Sequence, residues 1–211
     1  MNFILFDGPR RDHLLPFTFT RPVSEIRVGI MTLKERWEAY LKVSVSSFTE
    51  EYLSIKYPVN LEESNVFIDA SVLPSNELLK AVKALRAGER LMSGELIIAY
   101  LAAVSKSADE LSDFDVVEFE GGLVQINNTW DIFDKNATIL QSDFDFITKG
   151  RKSQPISSTN QLIHPERIFL EEGAKVEFSI LNATDGPIYL GKNSEIWEGS
   201  LIRGGLALCN N

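Results

Sequence analysis

The 211-residue chain carries 21 Lys and Arg against 30 Asp and Glu, a formal net charge of −9, with 44% hydrophobic and 24% charged residues. This is globular composition, which excludes a disordered, collagen-like or coiled-coil chain, and the negative balance leaves no diffuse positive field for nucleic acid or an anionic membrane. Cys209 permits no intramolecular disulfide and has no metal-ligand spacing with His13 and His164. No apolar run approaches the roughly 18–20 residues of a membrane span, so a cytoplasmic protein with a real core is expected.

The first element is the apolar run Phe3 to Phe6, ended by Asp7-Gly8-Pro9, the pattern of a buried, central strand entering a sharp loop. A polar, basic loop follows (Arg10, Arg11, Asp12, His13). The two prolines between Leu14 and Pro22 then favour extended backbone over helix. Thr32 and Glu35 have capping-box spacing, and Leu33, Trp37, Tyr40 and Leu41 recur at helical intervals. Asn65 to Asp69 reads as a second strand closing on an acid, followed by Pro74 and a helix with Leu78, Leu79, Val82 and Leu85 on one face.

Two hairpin signals come next, Ser93-Gly94 and Gly121-Gly122. A third helix is expected to carry Trp130, Phe133, Ala137 and Leu140 on one face, with Trp37 and Trp130 in the core. Glu62-Glu63 and Glu171-Glu172 read as solvated charges. The α/β part is expected to span residues 1–150, with a polar connector over 151–165.

From 166 to 211 a six-residue period runs through Leu170 and Val176, then Leu190, Ile196, Ile202 and Leu208, with small residues at Ala174, Ser194 and Ser200. The two runs are joined by a two-residue phase shift across Asn182 to Gly186. Such a period is the signature of the first coils of a left-handed parallel β-helix. Trp197 could sit outside the coil as a contact. The few coils suggest packing onto another surface or a longer gene product.

The stretch Leu5-Phe6-Asp7-Gly8-Pro9-Arg10-Arg11-Asp12-His13-Leu14-Leu15-Pro16-Phe17-Thr18-Phe19-Thr20-Arg21-Pro22 resembles the opening strand and loop of sugar-phosphate nucleotidyltransferases, written L-A-A-G-x-G-T-R-L-x-P-L-T-x-x-x-P-K. The run from Leu14 to Ile30 is more similar to a shorter, divergent branch, related to the bifunctional uridylyltransferases and carrying a hexapeptide-repeat C-terminus. Pro9, the missing second glycine and Val23 in place of the lysine depart from the pattern.

The resemblance implies an α/β, Rossmann-like nucleotidyltransferase domain followed by the start of the β-helix. It implies a reaction in which a nucleoside triphosphate and a sugar 1-phosphate give a nucleoside diphosphate sugar and pyrophosphate. Gly8, Arg10, Arg11 and Arg21 would hold phosphates, and Arg11, Arg21 and Arg27 would neutralise charge as it shifts. Mg²⁺ would be held by Asp69 and Asp131, with Asn128 the weaker candidate for the second position. On the residues alone, Gly8 reads as a turn glycine, Asp69 as a strand-end acid and Asp131 as a first-turn helix acid. Two alternatives stay open: a binding or regulatory module that has lost turnover, or the front part of a hexapeptide-repeat acyltransferase. A homo-oligomer, trimeric if the β-helix is complete, is the expected assembly.

Overall fold

The computed structural model describes residues 1–210; Asn211, the end of the expected β-helix segment, lies outside the described residues. Contacts divide the chain into two units, Met1–Arg27 with Met31–Asp131, and Val28–Ile30 with Ile132 onward.

In chain order the first unit contains β1 (Asn2–Phe6), β2 (Arg27–Val28, its second residue in the other unit), β3 (Met31–Thr32), α1 (Leu33–Leu41), β4 (Ser46–Phe48) and α2 (Glu51–Ser54). It continues with β5 (Asn65–Asp69), α3 (Asn76–Ala84), β6 (Glu89–Ser93), β7 (Leu96–Ala102), α4 (Ala108–Leu111) and β8 (Asp115–Glu118). Six strands form one sheet in the order β4-β1-β5-β7-β6-β8. The apolar β1 lies inside it, parallel to both β4 and β5, with Phe6 beside Asp69; β7 runs antiparallel to β5 and β6.

Local chemistry sets the helix starts. The Thr32 side chain accepts from the Glu35 N–H while Glu35 accepts from the Thr32 N–H, completing the expected capping box. Ser75 caps α3 through the Leu78 N–H. Trp37 is fully buried and donates its indole N–H to the Val72 carbonyl at 2.9 Å.

Two expectations change in this unit. Residues 9–25 fold into three short 3₁₀ turns, Pro9–Leu14, Phe17–Phe19 and Val23–Glu25, so the backbone between Leu14 and Pro22, expected to be extended, turns at Phe17–Phe19. Each proline sits at the mouth of a turn, where its missing N–H costs nothing. The Ser93-Gly94 hairpin forms, with Gly94 at φ 58°, but the Gly121-Gly122 hairpin does not. There β8 pairs parallel with β6, and the segment after the glycines is captured elsewhere: Leu73 N–H bonds to Val124 O and Ile126 N–H to Ser71 O.

Beyond α5 (Thr129–Asp134) the chain breaks at Lys135 before α6 (Asn136–Thr148). That break interrupts the single face expected for the third helix. Trp130 and Phe133 are 62% and 85% exposed, while α6 buries Ile139, Leu140 and Phe144.

In the second unit Leu140 and Phe144 pack with Ile30, Phe169 and Tyr189. The remaining strands are β9 (Gln161–Ile163), β10 (Ile168–Leu170), β11 (Lys175–Val176), β12 (Ile180–Asn182), β13 (Ile188–Leu190), β14 (Glu195–Ile196), β15 (Leu201–Arg203) and β16 (Leu206–Leu208). They stack in parallel as three small sheets, β10-β13-β16, β11-β14 and β15-β12-β9. Leu170, Val176, Leu190 and Ile196 are buried in one cluster, with Ile202 and Leu208 packed against it, so the six-residue period marks inward positions of successive strands. Trp197 is 74% exposed.

Glu171 is not a solvated charge. It is buried, takes two hydrogen bonds from the Arg151 guanidinium at 2.8 and 2.6 Å, and accepts a third from the Tyr189 hydroxyl at 2.7 Å. The charge is satisfied inside the unit, which is why it tolerates burial.

Candidate active site

The C-terminal ends of β1 and β5 lie side by side, and the chain leaves β1 through Asp7 and Gly8. Asp69 closes β5 almost fully buried. Its Oδ1 accepts from the Ser71 N–H at 2.8 Å and the Ser71 hydroxyl at 2.6 Å, whereas its Oδ2 is buried without a hydrogen-bond partner. Burial raises the Asp69 carboxyl to about 6 against the pull of the Ser71 hydrogen bonds; the Asp7 charge pushes the same way as burial and Arg10 opposes it.

Gly8 lies directly over this carboxylate. A Cβ there would collide with Asp69 Oδ2 and stand 3.0 Å from Cγ. The backbone at Gly8 is ordinary extended chain, φ −81°, so the glycine is required for space and not for conformation.

Asp7 is a tie point of the loop that no sequence motif marks. Its Oδ1 accepts from the Val23 N–H at 2.8 Å and its Oδ2 from the Thr49 hydroxyl at 2.6 Å, binding the start of the loop to both of its neighbours. Burial raises its carboxyl above the usual range against those bonds. The residue could have been found as the acid at the end of the first strand, the position that Asp69 holds in β5.

The expected phosphate-binding residues separate into different environments. Arg11 turns back into the loop: its guanidinium donates to the Thr18 carbonyl at 2.9 Å and the Tyr52 hydroxyl at 2.7 Å, and lies 3.4 Å from Asp7. Arg27 pairs with Glu35 at 3.1 Å on α1. Arg21 is exposed. Arg10, by contrast, lines a cleft of about 510 Å³ together with Gly8, and among the described residues it has no salt bridge or hydrogen bond of its own. The same cleft is lined by Phe6, Phe48, Ile97 and Tyr100 and by Ser105, Lys106 and Leu111.

Asp131 Oδ2 accepts from the N–H groups of Asn127 at 2.8 Å and Asn128 at 2.9 Å. The carboxylate is thereby engaged by its own helix start, as a first-turn acid is expected to be. Asn127, not Asn128, offers a buried side-chain oxygen without a hydrogen-bond partner. Its segment is joined to that of Asp69 by the Ile126 N–H to Ser71 O bond and by Gln125 Nε2 donating to Ser71 Oγ at 2.9 Å. No three His, Cys, Asp or Glu side chains converge among the described residues. Asp69 Oδ2 and Asn127 Oδ1 are oxygen donors of the type magnesium takes from protein, one or two at a time, with waters and substrate phosphates completing its shell.

A family model for sugar nucleotidyl transferases matches residues 3–152, most of the chain. The chain belongs to the sugar nucleotidyl transferase family. Membership implies nucleotide and sugar-phosphate substrates in general terms, and the matched stretch contains every residue expected for the site. No curated protein is similar enough to the chain to count as a match. Among its described residues no helix is long and apolar enough to cross a membrane.

Proposed function

We propose that the protein joins a nucleoside triphosphate to a sugar 1-phosphate, giving a nucleoside diphosphate sugar and pyrophosphate, at the cleft beside Gly8. The observation that carries this reading is the arrangement at the ends of β1 and β5: Gly8 is pressed on Asp69, and Gly8 lines a cleft together with the unpaired Arg10.

A strand-to-loop bend that cannot accept a side chain, next to an unpaired cation, suits close approach of a phosphate chain to backbone. Asp69 and Asn127 would hold Mg²⁺ through the two buried oxygens that lack hydrogen-bond partners. Bound there, the metal would supply positive charge to the nucleotide phosphates as pyrophosphate departs.

The rest falls to the chain. Arg10 neutralises the phosphate tail, with Arg21 the next exposed cation along the loop, while Arg11 and Asp7 keep the loop in shape. The sugar phosphate oxygen attacks the α-phosphorus itself, so no protein nucleophile is needed, and catalysis is positioning and charge neutralisation. On this reading the parallel coils of the second unit are the start of a left-handed β-helix, the protein works in the cytoplasm, and it forms a homo-oligomer, a trimer along flat coil faces if the β-helix is complete.

Incubation with Mg²⁺, the four common nucleoside triphosphates and a panel of sugar 1-phosphates, read by mass spectrometry, tests the proposal. One pairing is expected to yield a nucleoside diphosphate sugar. Absence of product from every pairing, in protein that binds nucleotide, would instead favour the non-catalytic binding module.

A further inference from the structure

The cleft has a second cation besides Arg10. Lys106 lies in the turn between β7 and α4, far from the Gly8 loop in sequence, yet it lines the same space. What fixes it there is Tyr100. This tyrosine is buried, its ring stacked on Phe67 at 5.0 Å and met edge-on by Phe114. Its hydroxyl lies 3.3 Å from Ser105 Oγ and accepts the Lys106 backbone N–H at 3.2 Å. A rigid aromatic platform in the sheet thus uses its one polar atom to hold the turn that carries the lysine.

The Lys106 ammonium is paired at 2.9 Å with Glu110, whose other oxygen accepts from the Ser107 N–H at 2.9 Å and hydroxyl at 3.1 Å. Glu110 is about half exposed, and water competes with an ion pair at such an exposed site, so the pair holds the ammonium only loosely. A multiply charged phosphate entering the cleft competes with Glu110 on favourable terms, because its charge is larger and the apolar floor of Phe6, Phe48 and Ile97 screens it less. The two carboxylates that line the cleft offer Lys106 no stronger rival: Asp7 is already engaged by Val23 and Thr49, and Glu95 sits exposed at the hairpin turn.

Building on the nucleotidyl transferase reading of the cleft, we propose that Lys106 is its second phosphate-binding residue, positioned by Tyr100 and held in reserve by Glu110 until the anion displaces that carboxylate. Arg10 and Lys106 then grip the anionic substrate from two separate loops. A lysine that only decorated the surface would not need a buried hydroxyl to place its backbone.

Calorimetric titration with inorganic pyrophosphate and with the four nucleoside triphosphates, each with Mg²⁺, tests this on the full chain. Lys106→Met is expected to weaken binding about tenfold, the loss of one charge-assisted contact, and Lys106→Arg to restore most of it. Glu110→Gln keeps a residue type compatible with the capping box and is expected to tighten binding about threefold by releasing the ammonium. A purely structural role for the pair predicts the opposite sign. Tyr100→Phe is expected to weaken binding, with no further loss when added to Lys106→Met.

If the wild type binds and both Lys106→Met and Glu110→Gln leave affinity unchanged, the proposal fails while the nucleotidyl transferase reading survives. Should Lys106→Met not fold, the sign of the Glu110→Gln effect decides alone. If the wild type binds none of the five ligands, the reading of the cleft falls and this proposal falls with it.

Discussion

Gly8 and Asp69 occupy each other's space: the Cα of the first lies so close to the carboxylate of the second that a methyl group cannot be placed between them. Since Gly8 has backbone angles open to any residue, Gly8→Ala tests that contact without introducing backbone strain. Asp69 is short, buried and held by Ser71, so it cannot swing away cheaply. The substitution is expected to cost about 1–3 kcal/mol, the usual range for overpacking. Urea denaturation measures it, and Gly88→Ala, at a positive-φ position with open space around it, serves as a comparison for strain without crowding.

The Asp69 carboxyl gives a pH signature. Its value in the folded protein, about 6, lies above the ordinary 3.8, so the folded state binds the proton more tightly than the unfolded chain. Stability from this group is therefore full in acid and is lost as the pH rises through about 6. Above that window the buried charge costs on the order of 3 kcal/mol. Asp69→Asn keeps an oxygen for the Ser71 hydrogen bonds and removes the charge. It is expected to match the wild type near pH 4 and exceed it in stability near pH 7, as measured by denaturation across that range.

Two adjacent arginines are expected to behave differently. Arg11→Met removes the donor to Thr18 and Tyr52 and should lower stability by about 1–3 kcal/mol. Arg10→Met should leave the denaturation midpoint nearly unchanged and weaken nucleotide binding instead. Denaturation and calorimetry on the same two variants separate these roles.

In the second unit, Glu171→Ala leaves the Tyr189 hydroxyl and the Arg151 guanidinium without their shared partner. A loss of about 2–4 kcal/mol is expected. Burial pushes the Glu171 carboxyl up, but the hydrogen bonds from Arg151 and Tyr189 outweigh it and leave the group below its ordinary 4.5. That stabilisation is present above pH 4.5 and is lost as the pH falls through the folded value. The gap between wild type and variant should therefore narrow on acidification, seen in thermal melts from pH 7 to pH 3.

Local signals carried much of this fold. The Thr32/Glu35 spacing fixes a helix start because both hydrogen bonds close within four residues, and the two six-residue runs, Leu170 to Val176 and Leu190 to Leu208, fall on side chains that face inward. The readings that changed depend on partners distant in sequence. Trp130 and Phe133 share a plausible helical stripe with Leu140, but the interruption at Lys135 separates them. Gly121-Gly122 could have closed a hairpin had the segment after it not joined residues 71–73. Glu171 is an unremarkable acid until Arg151 and Tyr189 arrive from opposite directions in the chain. At the site, Gly8, Arg10 and Asp69 were legible as strand-end and loop residues, whereas Asn127 and Lys106 were not: the Asn127 segment is placed by the distant Ile126–Ser71 bond, and Lys106 by a bond to the Tyr100 hydroxyl that no sequence motif announces.

The most direct measurement of the central claim is pyrophosphate release by wild type and Asp69→Asn, side by side at pH 7 with saturating Mg²⁺, nucleotide and sugar 1-phosphate. The account predicts a wild-type rate reduced at least about 100-fold in the variant, roughly the 3 kcal/mol expected for removing charge stabilisation from a transition state, with stability equal or higher. A folded Asp69→Asn protein that turns over at the wild-type rate would contradict it.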